Sequence, residues 1–147
     1  MKTWELLCII SSSLVAGLFS GPWIALSRSF KSFHPKLFLG IVSRMSQSIA
    51  PVMTILMPIS VLSMIPILIG SYGSNSMAFG FNTAALALSV LSLIVVVIFE
   101  VPAVNEIVAW TSSSIPENWQ HHRDRWIVVH MIRVFIGLAS LLSLPDL

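Results

Sequence analysis

The chain has 147 residues, of which 56% are hydrophobic and only 10% charged, and its mean hydropathy is +0.90. A soluble domain of this size carries about 25% charged residues, so the composition excludes a water-facing globular surface. The formal net charge is +2, and its few basic residues are not interleaved with aromatics on a soluble surface, which excludes a nucleic-acid partner.

Crossing roughly 30 Å of hydrocarbon takes about 20 apolar residues. Four stretches reach that length, over approximately 4–26, 46–69, 83–101 and 126–144. The expectation is all-α: an integral membrane four-helix bundle, one domain over 1–147, with up-down topology, short loops and the lipid bilayer as its first partner.

The first stretch is free of charge from Leu6 to Leu26. A signal peptide is its main rival, but Leu18-Phe19-Ser20 is a poor small-x-small cleavage site and the apolar run continues through Trp23 to Leu26, so a retained helix is expected. Ser13, Gly17 and Gly21 recur at i, i+4 and i+8, a small-residue stripe suited to close helix approach, either within the chain or in a homo-oligomer. Pro22 should kink the last turn. Trp23 then reads as an interfacial anchor or as a pocket wall. The lone Cys8 lies within this span and leaves no internal disulfide to form.

Between Arg28 and Arg44, Phe30, Phe33, Leu37 and Phe38 interleave with Arg28, Lys31 and Lys36, the pattern of a short amphipathic segment lying at the headgroups. Four basic residues fall in this loop, two in the third loop (Arg123 and Arg125) and none in the second. The positive-inside rule therefore puts loops one and three in the cytoplasm.

No charge interrupts the chain from Met45 to Phe99. The second span carries Pro51, Pro58 and Pro66 near one face and should bend rather than break, with Met45, Met53, Met57 and Met64 as adaptable filling. A turn rich in Gly, Ser and Asn follows from Gly70 to Asn82. The third span presents Ala85, Ser89 and Ser92 as a small-residue face and then meets Glu100, Asn105 and Glu106, with Pro102 and Trp110 marking a kinked exit.

In the last span Trp126, His130 and Arg133 stand at i, i+4 and i+7 and so share one helix face. Helices three and four are neighbours joined through one loop, so Glu100 and Arg133 should lie about two turns inside the same end and can pair. Unpaired, either charge at that depth costs a few kcal/mol. A histidine beside a carboxylate can act as a base, and an arginine can steady an oxyanion. The same residues can equally be interhelical glue with no chemistry. His121-His122 reads as a solvated loop pair, and no HxxxH or CxxC spacing supports a metal site, so none is expected. There is no Gly-x-Gly-x-x-Gly, Walker loop or nucleophile elbow.

These stretches, Glu-Val-Pro-Ala-Val-Asn-Glu-Ile-Val-Ala-Trp over 100–110 and the run from Glu117 to Ala139, together with Gly17 to Trp23, resemble the anthrone oxygenase-like family of small four-span membrane proteins. The resemblance implies an oxygenase that converts anthrones to anthraquinones without flavin or haem, by deprotonating an electron-rich substrate whose carbanion reacts with dioxygen. His130 and Arg133 match the family's last-helix pattern, and Asn105 matches the asparagine after its proline. The family pattern often reads Asn-x-Pro-x-Asn, whereas Glu100 stands at the first position here and one extra residue separates Pro102 from Asn105.

Two functions therefore compete. In the first, a cofactor-light oxygenase binds a hydrophobic aromatic substrate in a polar pocket between helices three and four. His130, Arg133, Asn105 and Glu100 are its catalytic group, and Trp126, Trp23 and Glu106 contact the substrate. In the second, a scaffold or small-molecule-binding subunit uses the polar cluster as glue. A transporter is weaker, because four spans offer no inverted repeat.

Overall fold

The computed structural model describes residues 3–73 and 75–144. Helix α1 runs over Thr3–Leu26, a single 3-10 turn occupies Phe30–Ser32, and α2 runs over Pro35–Ser71. The third long helix is composite, with α3 at Ser76–Val95, a π turn at Val96–Glu100 and α4 at Val101–Val108. Helix α5 covers Trp119–Leu142. No strand occurs among the described residues.

Four helices, Thr3–Leu26, Pro35–Ser71, Ser76–Val108 and Trp119–Leu142, are long and apolar enough to cross a membrane. Large apolar side chains cover their outer faces, with Ile24 69%, Ile55 66% and Leu62 61% exposed. A belt of that kind is costly in water and costs little in hydrocarbon. Length, composition and this outer surface are those of a multi-pass membrane protein.

The helices are longer than the expected spans, and local chemistry explains where they begin. Pro35 stands in the first turn of α2, where its missing N–H is an orphan anyway. That start absorbs much of the expected first loop into helix. The amphipathic segment is not found as expected: Phe30 and Phe38 are 2% and 0% exposed and pack on Ala103, Ile107 and Trp126. Full burial of both rings against other aromatics removes more apolar surface from water than half-immersion at an interface would. At the next connection, Gly73 takes φ 74°, the left-handed conformation that glycine adopts without steric penalty. Asn75 then caps α3 by accepting from the Met77 and Ala78 N–H groups, so the helix starts seven residues before the expected Thr83. Trp119, also seven residues ahead of expectation, opens α5.

The π turn follows from Pro102. A proline inside a helix supplies no N–H and clashes with the carbonyl four residues back. The preceding turn widens, and the Val101 N–H donates to the Val96 carbonyl five residues earlier. Such a bulge inserts one residue into the helical phase. Glu100 closes it and is buried, while its neighbours Phe99 and Val101 face outward.

Three apolar clusters order the interior. Cys8, Met64, Ala85 and Leu144 form one end. Phe19, Met53, Met57 and Val134 form the middle, and Phe30, Phe38, Val42, Ala103, Ile107 and Trp126 form the other end. A serine layer joins the helices between the first two clusters. Ser12 and Ser60 hydroxyls lie 2.9 Å apart, and Ser140 accepts from Ser89 at 2.7 Å while donating to the Ala85 carbonyl at 2.7 Å. The Ala85–Ser89–Ser92 face thus serves the contact of α3 with α5. The Ser13–Gly17–Gly21 stripe faces outward, and a Cβ on either glycine would meet nothing within 4 Å.

Candidate functional site

Glu100, His130 and Arg133 meet in the interior, all three buried. Arg133 donates through Nη1 to Glu100 Oε2, which is the ion pair expected from the sequence. Its Nη2 lies 2.6 Å from His130 Nδ1. The Arg133 guanidinium carbon also sits 3.5 Å from the centroid of the Phe19 ring, a cation–π contact.

His130 is held on both sides. Its Nε2 lies 3.2 Å from the Phe19 backbone carbonyl. A carbonyl only accepts, so Nε2 carries the proton and Nδ1 offers its lone pair to the Arg133 Nη2 donor. Glu100 Oε1 lies 3.2 Å from the same Nδ1. With the ring proton on Nε2, that contact brings two acceptors together. A proton arriving on Oε1 converts it into a hydrogen bond. The proton-accepting atom of the cluster is therefore Glu100 Oε1, with His130 behind it as the partner that stabilises the added proton.

Trp126 completes this face of α5, its ring 5.3 Å from that of His130. It also packs edge-on against Phe30 at 5.3 Å and Phe38 at 5.9 Å. Those aromatics close the interior at that end.

Beside the cluster lies a cavity of about 340 Å³, within the range of small-molecule sites. Its body is apolar, built from residues such as Ile49, Met53, Met57 and Val96, and its polar end is formed by Glu100, His130, Arg133, Trp126 and Asn105. It is not simply a pocket between the third and fourth long helices. Helix α2 supplies much of one wall, Leu18 and Phe19 of α1 contribute to the lining, and α5 brings Trp126, His130 and Arg133. The prolines bend α2 as expected, and Pro58 itself lines the cavity.

Two residues expected at the site lie elsewhere. Trp23 packs edge-on against Phe135 at 5.8 Å and does not line the cavity. Glu106 is half exposed and faces His122 Nδ1 at 3.3 Å. Six residues beyond Glu100, it has turned away around α4, and it takes one of the loop histidines with it. Asn105 stays at the cavity but is exposed, so it belongs to the rim.

Phe19 has no chemical signature in the sequence, yet it supplies both a carbonyl and a ring to the site. The only nearby signal is Pro22, which withholds the N–H that the Leu18 carbonyl would otherwise accept and relaxes the adjoining turn. Among the described residues, no three of His, Cys, Asp and Glu are grouped so that they could hold a metal ion. Comparison with protein-family models, curated proteins and solved structures returns no match for this chain.

Proposed function

We propose that this is a multi-pass membrane protein whose four helices alternate up and down through the bilayer. The loops carrying Arg28 and Arg123 face the cytoplasm, as their basic residues require. Its cavity binds a hydrophobic aromatic molecule of the anthrone type and oxidises it without a flavin, haem or metal. The observation that carries the reading is the meeting of Glu100, His130 and Arg133 at one end of an apolar cavity of about 340 Å³.

The chemistry begins with loss of a proton from the activated methylene of the substrate to Glu100 Oε1, stabilised by His130 Nδ1. The electron pair left behind delocalises onto the substrate's oxygen, which Arg133 steadies. The carbanion adds to dioxygen, and a proton returns to give a hydroperoxide. Loss of the second C–H proton expels the outer oxygen as water and leaves a carbonyl. One oxygen atom of dioxygen ends in the product and the other in water, so no external reductant is needed.

The test is oxygen uptake by purified protein in lipid nanodiscs given an anthrone, measured over the spontaneous background. Uptake should be matched by quinone formation and lost in Glu100→Gln and His130→Ala proteins that remain folded. No uptake above background rejects the oxygenase reading.

The second reading is a non-enzymatic scaffold or binding subunit in which the same three residues are glue. It is favoured by the engagement of both His130 nitrogens and of both Glu100 oxygens within the cluster. It requires every single substitution to lower stability and none to change a reaction.

A further inference from the structure

The cavity carries two hydrogen-bond donors that nothing in the protein uses. Trp126 Nε1 and Arg133 Nε are buried and have no hydrogen-bond partner, and both residues line the cavity. Buried indole N–H groups usually find an acceptor, and an unpaired buried donor carries a desolvation cost that a ligand can relieve. Both donors lie on the same face of α5, one on each side of His130.

The charge of Arg133 is already matched by Glu100. A ligand carboxylate brought to this site would be a buried charge with no counter-ion, whereas a neutral carbonyl oxygen would meet free donors at no such cost.

The way in is also defined. Phe30, Phe38 and Trp126 pack together at one end. The rim is formed by Ala50 and Thr54 of α2 and by Val97 and Val101 of the third helix, all exposed on the apolar outer surface. The cavity opens sideways, between α2 and the π turn.

We infer that the cavity takes a neutral, carbonyl-bearing hydrophobic molecule directly from the surrounding lipid, through the gap between α2 and the π turn, and that Trp126 Nε1–H and Arg133 Nε–H hydrogen-bond to its oxygen. This rests on the reading of the cavity as a ligand site, but not on turnover.

The probe is fluorenone, a rigid tricyclic ketone with no methylene to oxidise, compared with fluorene and fluorene carboxylate, each equilibrated with protein in nanodiscs against empty nanodiscs. Fluorenone should bind, and its carbonyl stretch should move to lower frequency than in empty nanodiscs. Fluorene and the carboxylate should each bind at least about fivefold more weakly, about the worth of one hydrogen bond or more. Trp126→Phe keeps a ring and removes the N–H. It should weaken fluorenone about fivefold, reduce the carbonyl shift and leave fluorene unchanged, the last result certifying an intact cavity. Val97→Trp, on the exposed rim, should slow fluorenone association at least about tenfold, the effect of an obstructed access route. Carboxylate binding as tight as the ketone overturns the neutrality of the ligand. An unshifted carbonyl overturns the donors, and an unchanged association rate in Val97→Trp overturns the lateral route. Fluorenone binding without anthrone oxidation rejects the proposed oxygenase alone, whereas oxidation of anthrone without fluorenone binding rejects this inference alone.

Discussion

His130 Nε2 reaches the backbone carbonyl of Phe19 at 3.2 Å, a contact across 111 residues that ties α5 to α1 at the level of the cavity. It sets which ring nitrogen bears the proton and therefore which face of the imidazole answers Glu100 and Arg133. Nitrogen-15 spectra of protein labelled at histidine should show a His130 ring with the proton on Nε2 and a bare Nδ1. A ring protonated on Nδ1 instead would contradict the assigned orientation and with it the role of Glu100 Oε1.

Glu100 and Arg133 are both buried and pair directly. Removing one partner of a buried pair leaves an uncompensated charge and costs about 3–5 kcal/mol. Glu100→Gln should therefore lower the thermal midpoint in detergent sharply, and a Glu100→Gln/Arg133→Gln double variant should recover much of the loss. A double variant as unstable as the sum of the two singles would show that the pair does not couple.

The serine layer should respond unevenly. Ser140 both accepts from Ser89 and donates to the Ala85 carbonyl, so Ser140→Ala should cost about 1 kcal/mol, at the upper end of interhelical hydrogen bonds in membranes. The Ser92 hydroxyl is buried without a hydrogen-bond partner. Ser92→Ala should be neutral or stabilising by up to about 1 kcal/mol, because it removes an unsatisfied group. Equal losses at the two positions, read by chemical unfolding in mixed micelles, would contradict the assigned bonding.

Pro102 holds the π turn that aims Glu100 inward. Pro102→Ala restores the missing donor and allows a regular helix, which would rotate Glu100 by about 100° relative to the rest of the turn. The coupling energy between Glu100 and Arg133, measured by a double-mutant cycle in the Pro102→Ala background, should fall to about 0.5 kcal/mol or less, the level of non-contacting pairs. A coupling as large as in the parent would mean that packing, not proline, holds the turn.

Much of the site was legible because polar residues are conspicuous in an apolar chain. Trp126, His130 and Arg133 share a helix face by spacing alone, and the structure buries all three. Glu100 was the natural partner for Arg133, and the ion pair is present. Glu106 and Trp23 were misplaced because each lies near the cluster in sequence but points elsewhere: Glu106 to His122, Trp23 to Phe135.

By itself the sequence determined that four segments are long and apolar enough to cross a membrane and which few polar groups lie among them. Only the tertiary structure decided that α2 walls the cavity, that Phe19 holds His130, and that Phe30 and Phe38 pack against Trp126 rather than lying along a surface. The physical reason is that helices apolar all round carry little amphipathic signal. Where the surroundings are as apolar as the core, hydrophobicity does not say which face turns inward. Inward faces are then set by hydrogen bonds, small-residue contacts and one proline-driven change of phase. Those depend on how the helices meet, and no single helix encodes that meeting.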